Sequence, residues 1–271
     1  MEDNFAKMQS DAEQGDAHMQ FCLGWKYEDG NGVEQDDKQA ASWYRKAAEQ
    51  GHVYAQFQLG LMYDEGNGVE QDDKQAVVWY RKAAEQGHAE AQSNLGYMYA
   101  VGNGVAQDHK QAYIWLSKAA EQGDAAAQFS LGMMYGSGKG AVALDNQQAM
   151  TWYFKAAEQG HVEAQFNLGM IFLNGKGSVA PVGELAYDWM SKAAEQGHVE
   201  AQFNLGIMYG NGDWVDQDIE EAYVWSALAA DKGHVEAANN RDFLAQHLSP
   251  EALKRARGLA SAKKMVEQCF E

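Results

Sequence analysis

Apolar and polar residues alternate along the chain with one long, fixed period. Within a period, apolar and small residues at helical spacing, such as Ala55, Leu59 and Met62, predict an amphipathic helix, and a second helical stretch follows it. A Gly-His or Gly-Asp pair closes each period, at Gly15, Gly51, Gly87, Gly123, Gly160, Gly197 and Gly233. Because this spacing stays at 36 or 37 residues, the chain is predicted to be built from tandem repeats.

Six periods fill residues 16–233. We predict repeats at 16–51, 52–87, 88–123, 124–160, 161–197 and 198–233. Residues 1–15 resemble the end of a repeat's second helix, with polar Ser10 and Asp11 in place of the usual Lys-Ala. They form an N-terminal cap helix that is either a solvated end or the remnant of a truncated repeat. Residues 234–271 are predicted to form C-terminal capping helices, the last of which begins at Ser249-Pro250.

Each repeat carries the same signals for two helices, called helix A and helix B below. Leu-Gly recurs within helix A, and a mid-helix glycine costs about 1 kcal/mol, so we expect a close helix contact there. A turn such as Gly66-Asn67-Gly68 follows, because glycine and asparagine tolerate positive φ. An aspartate such as Asp72 then caps helix B.

Helix B carries Ala-x-x-Trp and usually ends in Lys-Ala-Ala-Glu-Gln-Gly. Its tryptophans are Trp43, Trp79, Trp115, Trp152, Trp189 and Trp225. Pairs such as Lys46 and Glu49 are expected to form weak ion pairs on the solvated face. One helix pair cannot bury its apolar face alone, so stacked pairs are expected to form an all-α solenoid.

These motifs identify the chain as resembling the Sel-one-like repeat (SLR) family, a bacterial-type relative of the tetratricopeptide repeat. The resemblance covers residues 16–233 and rests on Leu-Gly, the Gly-x-Gly turn, the aspartate and Ala-x-x-Trp in register. It implies a right-handed superhelix of about six helix-turn-helix units. It also implies a non-catalytic adaptor or scaffold for protein complexes.

The charge balance narrows the choice of partners. The chain has 21 Lys and Arg against 39 Asp and Glu, a formal net charge of −18. Such a surface repels phosphate, which argues against duplex nucleic acid and against anionic membranes. No stretch approaches the roughly 20 apolar residues that a bilayer requires, so we expect no membrane insertion.

Neither the termini nor the cysteines identify the cellular compartment of the protein. Cys22 and Cys269 lie near opposite ends, and a disulfide needs Cα atoms within about 7 Å, so none is expected in an elongated fold. The first residues lack the features of an export signal. The sequence as it stands indicates a cytoplasmic protein, or a periplasmic or secreted one if a signal peptide was removed before Met1.

Candidate chemistry in the sequence is sparse. Ser261-Ala262-Lys263-Lys264 matches the S-x-x-K motif of penicillin-recognising enzymes, but the companion motifs are missing. The five Gly-His histidines recur once per repeat, too far apart to share one metal, and fit helix starts instead. We predict no catalytic residues, no cofactor and no metal site.

Two rows of helix A are the candidate binding residues. In tetratricopeptide-like stacks helices A line a concave wall, and the residue after Leu-Gly and the one four before it should face that wall. The residues after Leu-Gly, called the apolar row, are Trp25, Leu61, Tyr97, Met133, Met170 and Ile207. The phenylalanine row consists of Phe21, Phe57, Phe129, Phe166 and Phe203, with Ser93 in the third repeat. Both rows suit either a partner-binding groove or an interior seam.

Two residues depart from the repeat pattern, one in the sixth repeat and one in the fifth. Trp214 replaces the second glycine of a turn and is predicted to be either an exposed binding anchor or a residue packed on its neighbours. Val182 stands where the aspartate cap of the fifth repeat is expected.

The sequence therefore predicts a protein-interaction scaffold that holds a peptide or partner protein along the groove. Acidic residues beside the rows, Glu28, Asp64, Glu90, Glu163 and Glu200, favour partners with basic segments. The polar ends favour a monomer, although a groove-to-groove dimer stays open. The alternatives are a β-lactam- or cell-wall-related enzyme and an exported, surface or virulence-associated SLR protein.

Overall fold

The computed structural model describes residues 2–138, 142–175 and 180–267, with side chains from residue 5 onward. These residues form fifteen α-helices, and no strand occurs among them. The helices A of the repeats are α2 (Ala17–Asp29), α4 (Val53–Glu65), α6 (Ala89–Val101), α8 (Ala125–Ser137), α10 (Val162–Asn174) and α12 (Val199–Asn211). The helices B are α3 (Asp37–Glu49), α5 (Asp73–Glu85), α7 (His109–Glu121), α9 (Asn146–Glu158), α11 (Gly183–Glu195) and α13 (Ile219–Asp231). Helix α1 (Glu2–Glu13) precedes them, and α14 (Val235–His247) and α15 (Pro250–Glu267) follow.

The helices divide into two compact units. The N-terminal unit comprises α1 to α7 and α8 up to Leu131, and the C-terminal unit comprises the rest of α8 and α9 to α15. Within each unit, a helix A packs on helix B of its own repeat and on helix B of the repeat before it. The prediction of an all-α solenoid of repeated helix pairs is confirmed. No described helix is long and apolar enough to cross a membrane.

The turn between helix A and helix B depends on two glycines in left-handed conformation. Gly66 has φ +80° and its N–H donates to the Met62 carbonyl, which ends α4, while Gly68 has φ +67°. The asparagine between them does not adopt positive φ. Asp72 then accepts hydrogen bonds from the backbone N–H groups of Lys74 and Gln75, at 3.0 and 3.2 Å. The predicted turn and cap are therefore both present.

The Leu-Gly glycines let helix A and helix B approach each other closely. A Cβ built on Gly24 would lie 2.7 Å from the Tyr44 ring, and one on Gly60 would lie 2.6 Å from the Tyr80 ring. Both tyrosine rings belong to helix B of the same repeat and are fully buried. Close helix contact is thus the reason that these six positions lack a side chain.

The helix B lysines contact tryptophan rings. The Nζ of Lys46 lies 3.6 Å from the centre of the Trp43 ring, and four later repeats repeat this arrangement at 3.8 to 4.4 Å. The expected ion pair between Lys46 and Glu49 is wrong, since no ion pair of this type occurs in the described residues. The lysine ammonium lies over the face of the tryptophan ring three residues before it, where a cation is attracted by the ring.

A ladder of buried glutamine amides joins consecutive repeats. Gln56 of helix A donates to the Ala48 carbonyl at the end of the preceding helix B, at 3.0 Å. Its own side-chain oxygen accepts from Gln86, which follows helix B of its own repeat, at 2.7 Å. The same two bonds recur at Gln20 with Gln50 and at Gln92 with Gln122. Each amide therefore adds a side-chain bond to a helix-end carbonyl that also accepts from the backbone N–H of the following glycine, such as Gly51 at Ala48.

Helix α15 closes the C-terminal unit by charge contacts. Lys232 pairs with Glu267 at 2.8 Å, Lys264 pairs with Asp231 at 2.7 Å, and Arg255 pairs with Glu220. Ser249 accepts a hydrogen bond from the Ala252 N–H, so α15 begins as its Ser-Pro pair predicts. Residues 249–271 carry a net charge of +2, opposite in sign to the net charge of −18 of the whole chain, which favours these contacts. Cys22 is a free thiol, and Cys269 lies outside the described residues.

Candidate protein-binding surfaces

The helix contact at Leu-Gly determines where the apolar row points. Leu23, Leu59 and Leu95 are buried in the core of the N-terminal unit, and the glycine after each faces helix B. The next residue lies about 100° further round the helix and leaves this contact. The row is therefore positioned by a constraint that every repeat shares.

The apolar row is exposed at most of its positions. In the N-terminal unit, Trp25 is 49% exposed and Tyr97 is 60% exposed, whereas Leu61 is half-buried against the core of its neighbours. In the C-terminal unit, Met133 and Ile207 are exposed, and Met170 is half-buried. Large apolar side chains thus reach solvent at equivalent places within each unit.

The phenylalanine row lies between consecutive repeats. The ring of the histidine that opens the next helix A packs against the phenylalanine ring, with centroid distances of 4.3 to 4.7 Å. These pairs are Phe21 with His52, Phe57 with His88, Phe166 with His198 and Phe203 with His234. All five phenylalanines, including Phe129, are half-buried, and Ser93 is buried. Each ring therefore contributes one face to the junction of two repeats.

The five Gly-His histidines are helix N-caps. The Nδ1 of His52, His88, His161, His198 and His234 accepts a hydrogen bond from the backbone N–H three residues later, at 3.1 to 3.3 Å. This bond requires an unprotonated Nδ1. Burial accordingly lowers the pKa of His52, His88 and His198. No cluster of three metal-ligating side chains occurs in the part of the chain that the structure describes.

The acidic companions of the rows fall into two groups. Glu28 and Asp64 are half-buried and accept hydrogen bonds from the buried hydroxyls of Tyr44 and Tyr80. Burial, together with these carboxylates, raises the pKa of both tyrosines. Glu90, Glu163 and Glu200 are exposed.

Trp214 stands on a turn at the edge of the C-terminal unit. It is 55% exposed and has φ +67°, the only positive φ of a non-glycine residue among those described. A Cβ built on Gly183 would lie within its indole ring, so the ring covers the first turn of α11. Val182 precedes that helix and provides no side-chain cap. The residue thus both packs on its neighbour and presents a ring to solvent.

Ser261 and Lys264 do not form a nucleophile and base. The Ser261 hydroxyl donates to the Arg257 carbonyl of its own helix, and Lys264 donates to the Asp231 carboxylate at 2.7 Å. The bond to Asp231 raises the pKa of Lys264, which keeps it protonated at neutral pH. A protonated lysine cannot accept the serine proton. The two side chains line a cavity of about 310 Å³ with Ala227 and Met265.

Comparisons with known proteins agree with this architecture. The Sel1 repeat model matches the chain six times, at residues 17–52, 53–88, 89–124, 125–161, 162–198 and 199–234. A protective antigen of uropathogenic Escherichia coli with an SLR fold is 38% identical, with a TM-score of 0.85 over 96% of this chain. The chain spans 56% of the length of that antigen.

A Sel1 repeat protein from Oxalobacter formigenes is also 38% identical, with a TM-score of 0.73 over 80% of this chain and 89% of that one. No curated protein sequence matches the chain. Sel1 repeat proteins are generally protein-interaction scaffolds. Six matches in register and two solved structures of this similarity establish the resemblance seen in the sequence: the chain belongs to the Sel1 repeat family.

Proposed function

We propose that the chain is a non-catalytic scaffold that binds a protein or an extended peptide through its apolar row. The carrying observation is the exposure of Trp25, Tyr97, Met133 and Ile207 at one helical position. Aromatic side chains and methionine are enriched at protein interfaces. The helices that carry them are held by glycine contacts and amide bonds, so a partner binds without ordering the receptor.

The proposed partner carries basic segments. Glu90, Glu163 and Glu200 are exposed on the same helices A as the row, and the whole chain has a net charge of −18. Complementary charge speeds encounter and suppresses binding of acidic competitors. Binding is therefore expected to weaken as salt rises.

The test is affinity capture from a lysate of the source cell with the wild-type chain and the triple variant Trp25→Ala, Leu61→Ala, Tyr97→Ala. All three residues lie in the N-terminal unit. We expect the wild type to retain a protein that the triple variant loses, while both give the same far-UV circular dichroism spectrum. Mass spectrometry identifies the retained protein.

A matched control removes exposed apolar residues of helix B instead. Val78 and Ile114 are 42% and 43% exposed in the same unit, so Val78→Ala with Ile114→Ala controls for a general loss of apolar surface. Equal retention by the triple variant and the wild type would overturn the proposed binding surface. A labelled β-lactam adduct at Ser261, detected by intact mass, would overturn the non-catalytic role.

The likeness to a protective antigen supports a second candidate, an exported protein accessible at the cell surface. Antibodies raised against the chain would label intact source cells, and external protease would remove the label. Labelling only after lysis would exclude this candidate.

A further inference from the structure

We propose that a second docking surface, separate from the apolar row, is formed by Val182, Gly183 and Trp214, here called the Trp214 junction. Its occupant is a protein segment that carries an apolar side chain between lysines or arginines. The surface lies within the C-terminal unit, where a turn of the sixth repeat meets the start of α11.

Backbone strain at Trp214 is the first observation. The equivalent turn positions of the first three repeats are glycines, Gly32, Gly68 and Gly104, all with positive φ. Positive φ is unfavourable for a residue with a large side chain. A tryptophan held there with 55% of its surface exposed recovers only part of the burial that a tryptophan can provide. Strain that packing leaves uncompensated is characteristic of binding sites.

Three departures from the repeat coincide at this place. The residue that faces the turn glycine is Asp37 at Gly68 and Asp73 at Gly104, but it is Gly183 at Trp214. The preceding cap is an aspartate at α3 and α5, but it is Val182 at α11, which lacks a side-chain cap. Each change removes a polar group or makes room for the indole. Together they convert a polar junction into an apolar one.

The resulting surface is apolar at its centre and acidic around it. Val182 directly precedes Gly183 and is 40% exposed, beside the 55% exposed Trp214. The acidic residues of the two segments are exposed as well: Glu184, Asp188, Asp213, Asp216 and Asp218. Residues 180–188 and 209–219 contain no lysine or arginine. Apolar anchors flanked by positive charge complement this arrangement.

The probe is a short synthetic peptide that alternates lysine and leucine, titrated into the isotope-labelled full chain. One control peptide replaces lysine by glutamate, and the other replaces leucine by serine. The Trp214 indole N–H resonance is assigned by its absence in Trp214→Gly. We expect the lysine–leucine peptide to shift this resonance and the amides of Gly183 and Leu185. Raising the salt from about 50 to about 300 mM should weaken the effect.

Trp214→Gly restores the turn residue of the other repeats, so its melting temperature should fall by less than about 4 °C. Its Gly183 and Leu185 amides should report at least about tenfold weaker peptide binding. Trp25→Ala, on the apolar row, should leave these shifts unchanged, which separates this surface from the scaffold proposal. No shift at Trp214, equal shifts with either control peptide, or a larger fall in melting temperature would each overturn the proposal.

Discussion

In the N-terminal unit, the turn of the second repeat contacts the start of helix B of the repeat before it, and the turn of the sixth repeat makes the equivalent contact in the C-terminal unit. The two contacts differ in which partner is the glycine. At Gly68 the turn lacks a side chain, and the facing Asp37 keeps one. At Trp214 the turn carries a large ring, and the facing Gly183 has none. The comparison shows that the junction tolerates a bulky turn residue only when the opposing helix start gives up its own side chain.

The largest expected effect is the loss of stability on substituting the turn glycine of the second repeat. A Cβ at Gly68 would overlap the Asp37 carbonyl oxygen, and the positive φ adds strain. Gly68→Ala should lower the free energy of unfolding by about 3 kcal/mol, measured by urea denaturation. Gly183→Ala should also destabilise, but Gly183→Ala with Trp214→Gly should recover most of the loss. Additive effects in this double variant would contradict the exchange of space between the two residues.

The Leu-Gly contact provides a graded comparison between the units. Gly60 faces the Tyr80 ring, whereas Gly206 faces the much smaller Ser226 side chain, whose hydroxyl accepts a hydrogen bond from Asn240. Gly60→Ala should cost about 2 kcal/mol by overpacking, and Gly206→Ala should cost less. Thermal or urea unfolding of both variants measures the difference. A larger cost at Gly206 would show that the facing side chain does not set the penalty.

Because α11 lacks a side-chain cap, supplying one is expected to increase the stability of the protein. Val182→Asp should supply a side-chain acceptor for the free N–H groups of the first turn, as Asp72 does at α5. We expect an increase of about 1 kcal/mol in the free energy of unfolding. The same substitution should weaken peptide binding at the Trp214 junction, because it removes an apolar side chain. A variant that gains stability and keeps full binding would remove Val182 from that surface.

The smallest expected effect is a difference in pH dependence between histidine and aspartate caps. Burial lowers the pKa of His88, which Glu90 partly offsets, and protonation would destroy its acceptor at a positively polarised helix end. Its contribution to stability is therefore complete above about pH 6.5 and is lost as pH falls through the lowered pKa. The fourth repeat uses Asp124 instead, which accepts from Ala127 at 2.7 Å. His88→Asp should show a smaller loss of stability than the wild type between pH 7.5 and 5.5, as urea unfolding would measure; equal losses would contradict the cap's role.

The repeat register made most of the architecture predictable. A glycine at one place in six helices predicted close packing, and the structure confirms it at Gly24 and Gly60. Apolar periodicity does not predict the glutamine ladder, because its members are polar side chains that are buried through their hydrogen bonds. A glutamine at one position of every helix A, such as Gln56 and Gln92, was the available signal.

Other features needed three-dimensional information. Lys46 has Trp43 three residues before it and Glu49 three residues after it. Sequence spacing alone therefore does not predict which of the two it contacts. Tyr97 and Leu61 share one repeat position but differ in exposure, because Leu61 packs against a buried cluster that includes residues of the next repeat. The relation of Trp214 to Gly183 joins residues a repeat apart, which only the stacking of repeats reveals.

The glutamine ladder also bears on how such a chain changes length. Each helix A glutamine donates to a carbonyl of the preceding repeat, and its side-chain oxygen accepts from the glutamine that follows helix B of its own repeat. An internal repeat therefore has the same hydrogen-bonding groups at both ends. Duplicating residues 53–88 would add a repeat that can form the same glutamine hydrogen bonds with both neighbours, without sequence changes at the repeat boundaries. At the C-terminal end, Lys232 replaces the glutamine, and Gln202 donates to Glu267. At this place the glutamine-to-glutamine bond is therefore replaced by contacts to Glu267 of α15, so a repeat inserted before it would keep the same bonds.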